Sequence, residues 1–185
     1  AMTDVKTVFI DGEAGTTGLQ IRERLAKEPA IRVLSIAPDK RKEAAARQAI
    51  MAEADLAVLC LPDEAAKEAV ALARALGDNA PKIVDASTAH RVAPGWVYGF
   101  AELDRDQAGK IRTAQYVANP GCYPTGAIAL LHPLVKTGLV PADFPVAINA
   151  VSGYSGGGKS MIETYEPART APNFELYALG LEHKH

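Results

Sequence analysis

Four short runs of β-branched and aliphatic residues, VKTVFI (5–10), IRVLSI (31–36), LAVLCL (56–61) and KIVD (82–85), alternate with three segments of helical character. That alternation constrains the fold more than any other feature of the chain. The helical segments are residues 17–27, with Leu19, Ile21 and Leu25 among their apolar positions, KEAAARQAIM (42–51), and EAAKEAVALARAL (64–76), with Asp63 as its expected N-cap and Gly77 as its stop. Strands joined through helices with short punctuation give parallel pairing, right-handed crossovers and helices on both faces of the sheet. The expectation is a doubly wound α/β domain over residues 1–118.

The texture changes after Ala86. STAHRVAPGWVYGF (87–100) carries Pro, Gly and aromatics without a helical period, GAIALLHPLVKTGL (126–139) returns to a helix, and FPVAINAVSG (144–153) reads as a strand. A second, α+β domain is therefore expected over 119–185, and it reads as incomplete where the chain stops. A length of 185 residues with 48% hydrophobic content suffices for a buried core. With 20 Lys and Arg against 22 Asp and Glu, the net charge of −2 gives no electrostatic footprint for nucleic acid or an acidic membrane. No apolar run approaches the ~20 residues that span a bilayer, and no signal-peptide pattern opens the chain, so the expectation is a cytoplasmic protein acting on a small molecule. Two cysteines make no disulfide framework in a chain of this size, and no metal site is assigned.

FIDGEAGTTG (9–18) sets Gly12, Gly15 and Gly18 three apart at a strand-to-helix turn, before a helix that Thr16 or Thr17 is placed to cap. Glycines there let the backbone approach a pyrophosphate, which the free N–H groups of the helix N-terminus then hold. The domain thus reads as Rossmann-type. Beyond the second strand, SIAPDKRK (35–42) offers Ser35, Lys40, Arg41 and Lys42 with a single acid, Asp39, where an NAD enzyme usually presents a carboxylate to the ribose. A hydroxyl and a basic cluster suit a 2′-phosphate, hence NADP; a solvated helix start is the plainer alternative.

GYSGGGKS (153–160) matches the P-loop pattern letter for letter. A P-loop enzyme also needs a later strand ending in Asp to hold magnesium, and no Asp follows Ser160. The stretch is read as a turn with exposed N–H groups.

Cys60 lies in an apolar run and reads as a small packed hydrophobe. Cys122 is different. NPGCYPT (119–125) surrounds it with residues that fix the backbone and places it where a helix begins, and the partial positive charge of a helix N-terminus favours a nucleophilic thiolate. A thiolate beside a hydride carrier suggests acyl transfer to sulfur coupled to a redox step, which wants a histidine as acid/base. The four histidines are His90, His132, His183 and His185; His132 stands in an apolar helix and reads as packed.

Taken in order, GEAGTTG, NPGCYPT, SGYSGGGKS and YALGLEHKH resemble the N-acetyl-γ-glutamyl-phosphate reductases in their shorter form. The resemblance implies NADPH-dependent reduction of an acyl phosphate to a semialdehyde with release of phosphate, in arginine biosynthesis, by a homodimer or homotetramer. It makes Cys122 the nucleophile and His183 the acid/base, with His185 left open as a rival for that role or as a substrate contact. Arg91, Asn119, Ser152, Ser155 and Tyr177 join them on the substrate side. Gly12, Gly15, Thr16, Thr17, Gly18, Ser35, Arg41, Lys42, Leu61, Pro62, Ser87 and Gly156 fall to the cofactor. DASTAHR (85–91) departs from the family's D-x-S-A-D-F-R by carrying Thr88, Ala89 and His90. Related aspartyl or aminoadipyl reductases, and a non-catalytic dinucleotide-binding module, are the alternatives.

Overall fold

The computed structural model describes residues 5–166, 172–176 and 179–180. Its strands are β1 (Lys6–Asp11), β2 (Ile31–Leu34), β3 (Leu56–Leu59), β4 (Lys82–Asp85), β5 (Val97–Tyr98) and β6 (Tyr116–Ala118). Its helices are α1 (Thr16–Leu25), α2 (Ala44–Ala52), α3 (Asp63–Arg74), α4 (Gln107–Thr113), α5 (Cys122–Lys136) and α6 (Gly158–Tyr165). Contacts divide the chain into two compact units, residues 1–133 and 134–185, with the division inside α5.

The six strands found among the described residues lie in the first unit, parallel and in the order β2-β1-β3-β4-β6-β5. The period-2 alternation along β1 separates the two faces. Phe9 packs with Ala57, Leu59 and Ile83 against Met51 of α2 and Ala66, Ala69, Val70 and Ala73 of α3. Val8 and Ile10 face the other way with Val58, and Ile21 and Leu25 of α1 cover them. The sheet is therefore doubly wound, as the alternation in the sequence implies. In α3 the buried residues recur at i, i+3, i+4 and i+7, and three of the four are alanines, so the helix lies close on the sheet. Asp63 and Glu64 in its first turn and Arg74 in its last complement the helix dipole.

Leu19 of α1 is exposed, because the sheet-facing stripe of that helix runs through Ile21 and Leu25. Three expectations need correction. The cap position of α1 falls on Gly15, so neither threonine caps it. Pro62 holds the cap position of α3, and the Asp63 carboxylate instead accepts from Thr88 N–H at 3.0 Å and Thr88 Oγ1 at 2.5 Å. Residues 144–153 form no strand; among the described residues none pairs with them, and a strand without a neighbour has no ladder to satisfy its backbone groups. β5, β6 and α4 are too short to show a period in the sequence.

Among the described residues of the second unit a 3₁₀ turn (Tyr154–Gly157) leads into α6, with the Tyr154 and Tyr165 rings stacked at 5.1 Å and Tyr154 Oη donating to Glu166 at 2.9 Å. Leu139, Phe144, Ile148 and Val151 there are exposed.

Candidate active site

The C-terminal ends of β1, β3, β4 and β6 share one edge of the sheet, and the chain reverses its winding direction between β1 and β3. Open parallel sheets bind ligands outside that edge, at the reversal. The glycine loop occupies it. Gly12 has φ +89°, and a Cβ there would meet the Cys60 carbonyl oxygen at 2.3 Å, so only glycine lets β1 and β3 end side by side. Gly18 serves a different end: a Cβ would come within 2.4 Å of the Gly12 oxygen, so its absence lets α1 begin directly on the loop. Gly15 at its cap position has no side chain to offer, and among the described residues no side-chain cap bonds the first turn of α1. Gly12, Glu13, Ile36, Arg41 and Leu61 line a cleft here.

Glu13, inside the glycine loop, is 8% exposed. Its carboxylate accepts from Arg22 Nη1 at 2.7 Å, from Arg41 Nη2 at 3.3 Å and from Ser35 Oγ at 3.2 Å, while Arg22 also bonds Ser35. The structure thus brings Ser35 and Arg41 together on the loop, through a glutamate and an arginine the sequence reading passed over. An acid inside a loop suited to phosphate was the available signal. Arg41 Nε is buried without a hydrogen-bond partner among the described residues. An unused donor on an arginine that lines the cleft with the glycine loop fits an anionic cofactor. Lys42 is exposed, as is Thr17.

Beneath the loop Asp11, 5% exposed, meets Arg47 of α2, 6% exposed, at 3.0 Å from Nε and 2.8 Å from Nη2, and Arg47 reaches Glu68 at 3.3 Å. Burial pushes the Asp11 carboxyl up from its ordinary value, and Arg47 opposes that push. Cys60 sits half-buried after β3, and burial with the nearby Asp11 and Asp85 carboxylates pushes its thiol up to about 11. It is a packed, protonated sulfur.

The second cluster surrounds Asp85, which is fully buried at the end of β4. Its carboxylate accepts from Ser87 N–H at 2.9 Å and Ser87 Oγ at 2.8 Å, and His90 Nδ1 lies at 2.5 Å. The His90 ring stacks on Trp96 with centroids 4.2 Å apart, and Trp96 continues to Tyr116, over which Arg74 lies. Asn119, just past β6, donates its N–H to the Asp85 carbonyl at 2.8 Å, so Ser87 and Asn119 emerge side by side from neighbouring strands. Pro62 stands at the start of α3, whose Asp63 holds Thr88.

Cys122 is exposed and is the first residue of α5. Its neighbour Gly121 is buried, and a Cβ there would lie 2.7 Å from Arg91 Nη1 and 3.1 Å from Pro124 Cδ. Arg91 is therefore packed against the backbone immediately before the cysteine. A thiol at a helix N-terminus with a guanidinium at its shoulder can attack an electrophile that carries an anionic leaving group. His132, read as packed, keeps a side chain 36% exposed, with Nε2 3.5 Å from Asp104 Oδ1.

In the second unit, Ser152 Oγ bonds the Gly153 carbonyl at 3.1 Å, and a Cβ on Gly156 would come within 2.7 Å of that hydroxyl. Ser155 lies in the 3₁₀ turn. Tyr177, His183 and His185 lie outside the described residues.

Residues 7–111 match the model for the semialdehyde dehydrogenase NAD binding domain, and residues 122–185 match that for the semialdehyde dehydrogenase dimerisation domain. The chain belongs to the semialdehyde dehydrogenase family. Within it, the chain is 56% identical to the N-acetyl-γ-glutamyl-phosphate reductase of Mesorhizobium japonicum, over 96% of its own length and 57% of the relative's. It is 56% identical to the protein of that name from Sinorhizobium medicae, over 96% and 58%. The chain thus spans somewhat more than half the length of these relatives. Among solved structures, the aspartate semialdehyde dehydrogenase from Francisella tularensis superposes with a TM-score of 0.62 at 15% identity, covering 86% of this chain and 48% of that one. The Vibrio cholerae aspartate semialdehyde dehydrogenase II gives 0.56 at 16%, covering 86% and 50%. The fold is that of the semialdehyde dehydrogenases, and the cofactor is a nicotinamide dinucleotide. Among the described residues no helix is long and apolar enough to cross a membrane.

Proposed function

We propose that this sequence carries the cofactor-binding part and the nucleophile of an NADPH-dependent N-acetyl-γ-glutamyl-phosphate reductase, a cytoplasmic homodimer or homotetramer of arginine biosynthesis. Residues 1–118 hold the cofactor and 119–185 belong to the catalytic domain. The observation that carries the reading is the placement of Arg91 against Gly121, next to an exposed Cys122 at the N-terminus of α5. The 56% identity to proteins of that name supports the choice of substrate.

In this reading the Cys122 thiolate attacks the acyl carbon, the carbon–sulfur bond forms and the carbon–oxygen bond to phosphate breaks. Arg91 takes up the charge of the departing phosphate as a planar donor. A nicotinamide held at the glycine loop would supply the hydride that reduces the resulting thioester. His183 gives the developing alkoxide a proton and takes it back as the carbonyl re-forms, when the carbon–sulfur bond breaks and Cys122 leaves as thiolate, with His185 contacting substrate. Gly12, Gly15 and Gly18 with the first turn of α1 hold the pyrophosphate; Ser35, Arg41 and Lys42 hold a 2′-phosphate; Leu61, Pro62, Ser87 and Gly156 complete the cofactor's surroundings. Asn119, Ser152, Ser155 and Tyr177 line the substrate side.

The test runs the reaction backwards on the intact polypeptide that carries this sequence, measuring phosphate-dependent NADP reduction. Turnover with N-acetylglutamate semialdehyde that disappears in Cys122→Ser is expected. Turnover with aspartate semialdehyde alone overturns the substrate, and undiminished turnover in Cys122→Ser overturns the mechanism.

A further inference from the structure

Two guanidinium groups and a hydroxyl converge on the buried carboxylate of Glu13, from α1 (Arg22), from just past β2 (Ser35) and from the segment after it (Arg41). The segment just past β2, which carries Ser35 and Arg41, is where a Rossmann-type domain reaches the adenosine ribose. Two arginines against one glutamate leave the cluster one positive charge in excess. The other acid lining the cleft, Asp11, is engaged by Arg47 and does not alter that sum. Arg41 Nε is left buried without an acceptor among the described residues, so the carboxylate does not exhaust the donors gathered around it.

We propose that Glu13 is an internal stand-in for the cofactor's 2′-phosphate: its carboxylate holds Arg22 and Arg41 together and gives them up when the phosphate binds, which makes Glu13 a selectivity-determining residue of the cleft. The proposal rests on the NADP reading above. A 2′-phosphate brings up to two negative charges and three acceptor oxygens, enough to compete with a carboxylate for both guanidiniums. A ribose hydroxyl is neutral and leaves Glu13 where it is. Glu13 thereby keeps the two cations from repelling one another in the empty cleft and lowers the affinity that a bare pair would give the phosphate.

Calorimetric titration of the full chain with adenosine 2′,5′-bisphosphate and with 5′-AMP tests this without turnover; the readout is the ratio of the two dissociation constants. In the unaltered protein the bisphosphate binds more tightly. Equal binding overturns the NADP reading and the proposal with it. Glu13→Gln, which keeps the shape and removes the charge, raises the preference about tenfold, and Arg22→Gln lowers it about tenfold. The double variant, restored to one excess positive charge, returns to near the starting preference. A Glu13→Gln ratio that is unchanged or lower overturns the proposal while leaving the cofactor reading intact. So does a double variant no better than Arg22→Gln alone, and this comparison decides the matter even if Glu13→Gln alone fails to fold.

Discussion

The guanidinium of Arg91 lies so close to the backbone of Gly121 that a single added methyl would come within 2.7 Å of its Nη1. Gly121 precedes the exposed Cys122, so the spacing between cation and sulfur is set by the absence of a side chain.

Gly121→Ala is expected to push Arg91 out of place, because the new Cβ also meets the Pro124 ring at 3.1 Å and cannot move that way. The proposed reductase activity falls at least tenfold in kcat/KM for the acyl phosphate, with the midpoint of thermal unfolding shifted by only a few degrees. Steady-state kinetics beside a melting curve separate the two effects.

The two cysteines should react very differently. At pH 7.5 iodoacetamide is expected to label one thiol per chain, Cys122, as peptide mass mapping will show. Cys60, half-buried and with its thiol raised to about 11, stays unlabelled until the chain unfolds or the pH nears that value.

Removing Asp11 takes away the buried partner of Arg47 and leaves it the 3.3 Å contact to the exposed Glu68. Asp11→Ala should lose roughly 3 kcal/mol of stability in urea unfolding, the usual scale for breaking a buried ion pair from one side. Asp11→Leu combined with Arg47→Met should recover much of it.

Asp55 and Asp11 act in opposite directions on acidification. The Thr7 backbone N–H, at 2.7 Å, and the Thr7 hydroxyl hold the Asp55 carboxyl below its ordinary value, so its contribution is full above that ordinary value and is lost as the pH falls through the lowered one. The Asp11 carboxyl is raised by burial, so protonating it favours the folded chain. Asp55→Asn should therefore flatten the fall in stability as the pH drops below the ordinary carboxylate value, and Asp11→Asn should not.

The doubly wound core was legible because β1 to β4 and α1 to α3 each carry a full period of their own kind, and Gly12 marked the loop between them. What the sequence hid was pairing at a distance. Arg22, Ser35 and Arg41 are 9, 22 and 28 residues from Glu13, and no local pattern says that they meet. His90 stood out only as a departure from a motif, since its partner Asp85 belongs to a strand and its stacking partner Trp96 to an irregular segment. Residues 144–153 misled for the converse reason: they have the composition of a strand, and composition does not supply a neighbour.

Asp85 fastens Ser87 and His90 from below, and Asp63 fastens Thr88 from the side. Residues 86–91 are thus tied down by two carboxylates before any ligand arrives. The conformational entropy of that loop is surrendered when the chain folds, and a phosphate that reaches Arg91 binds to a surface already at rest.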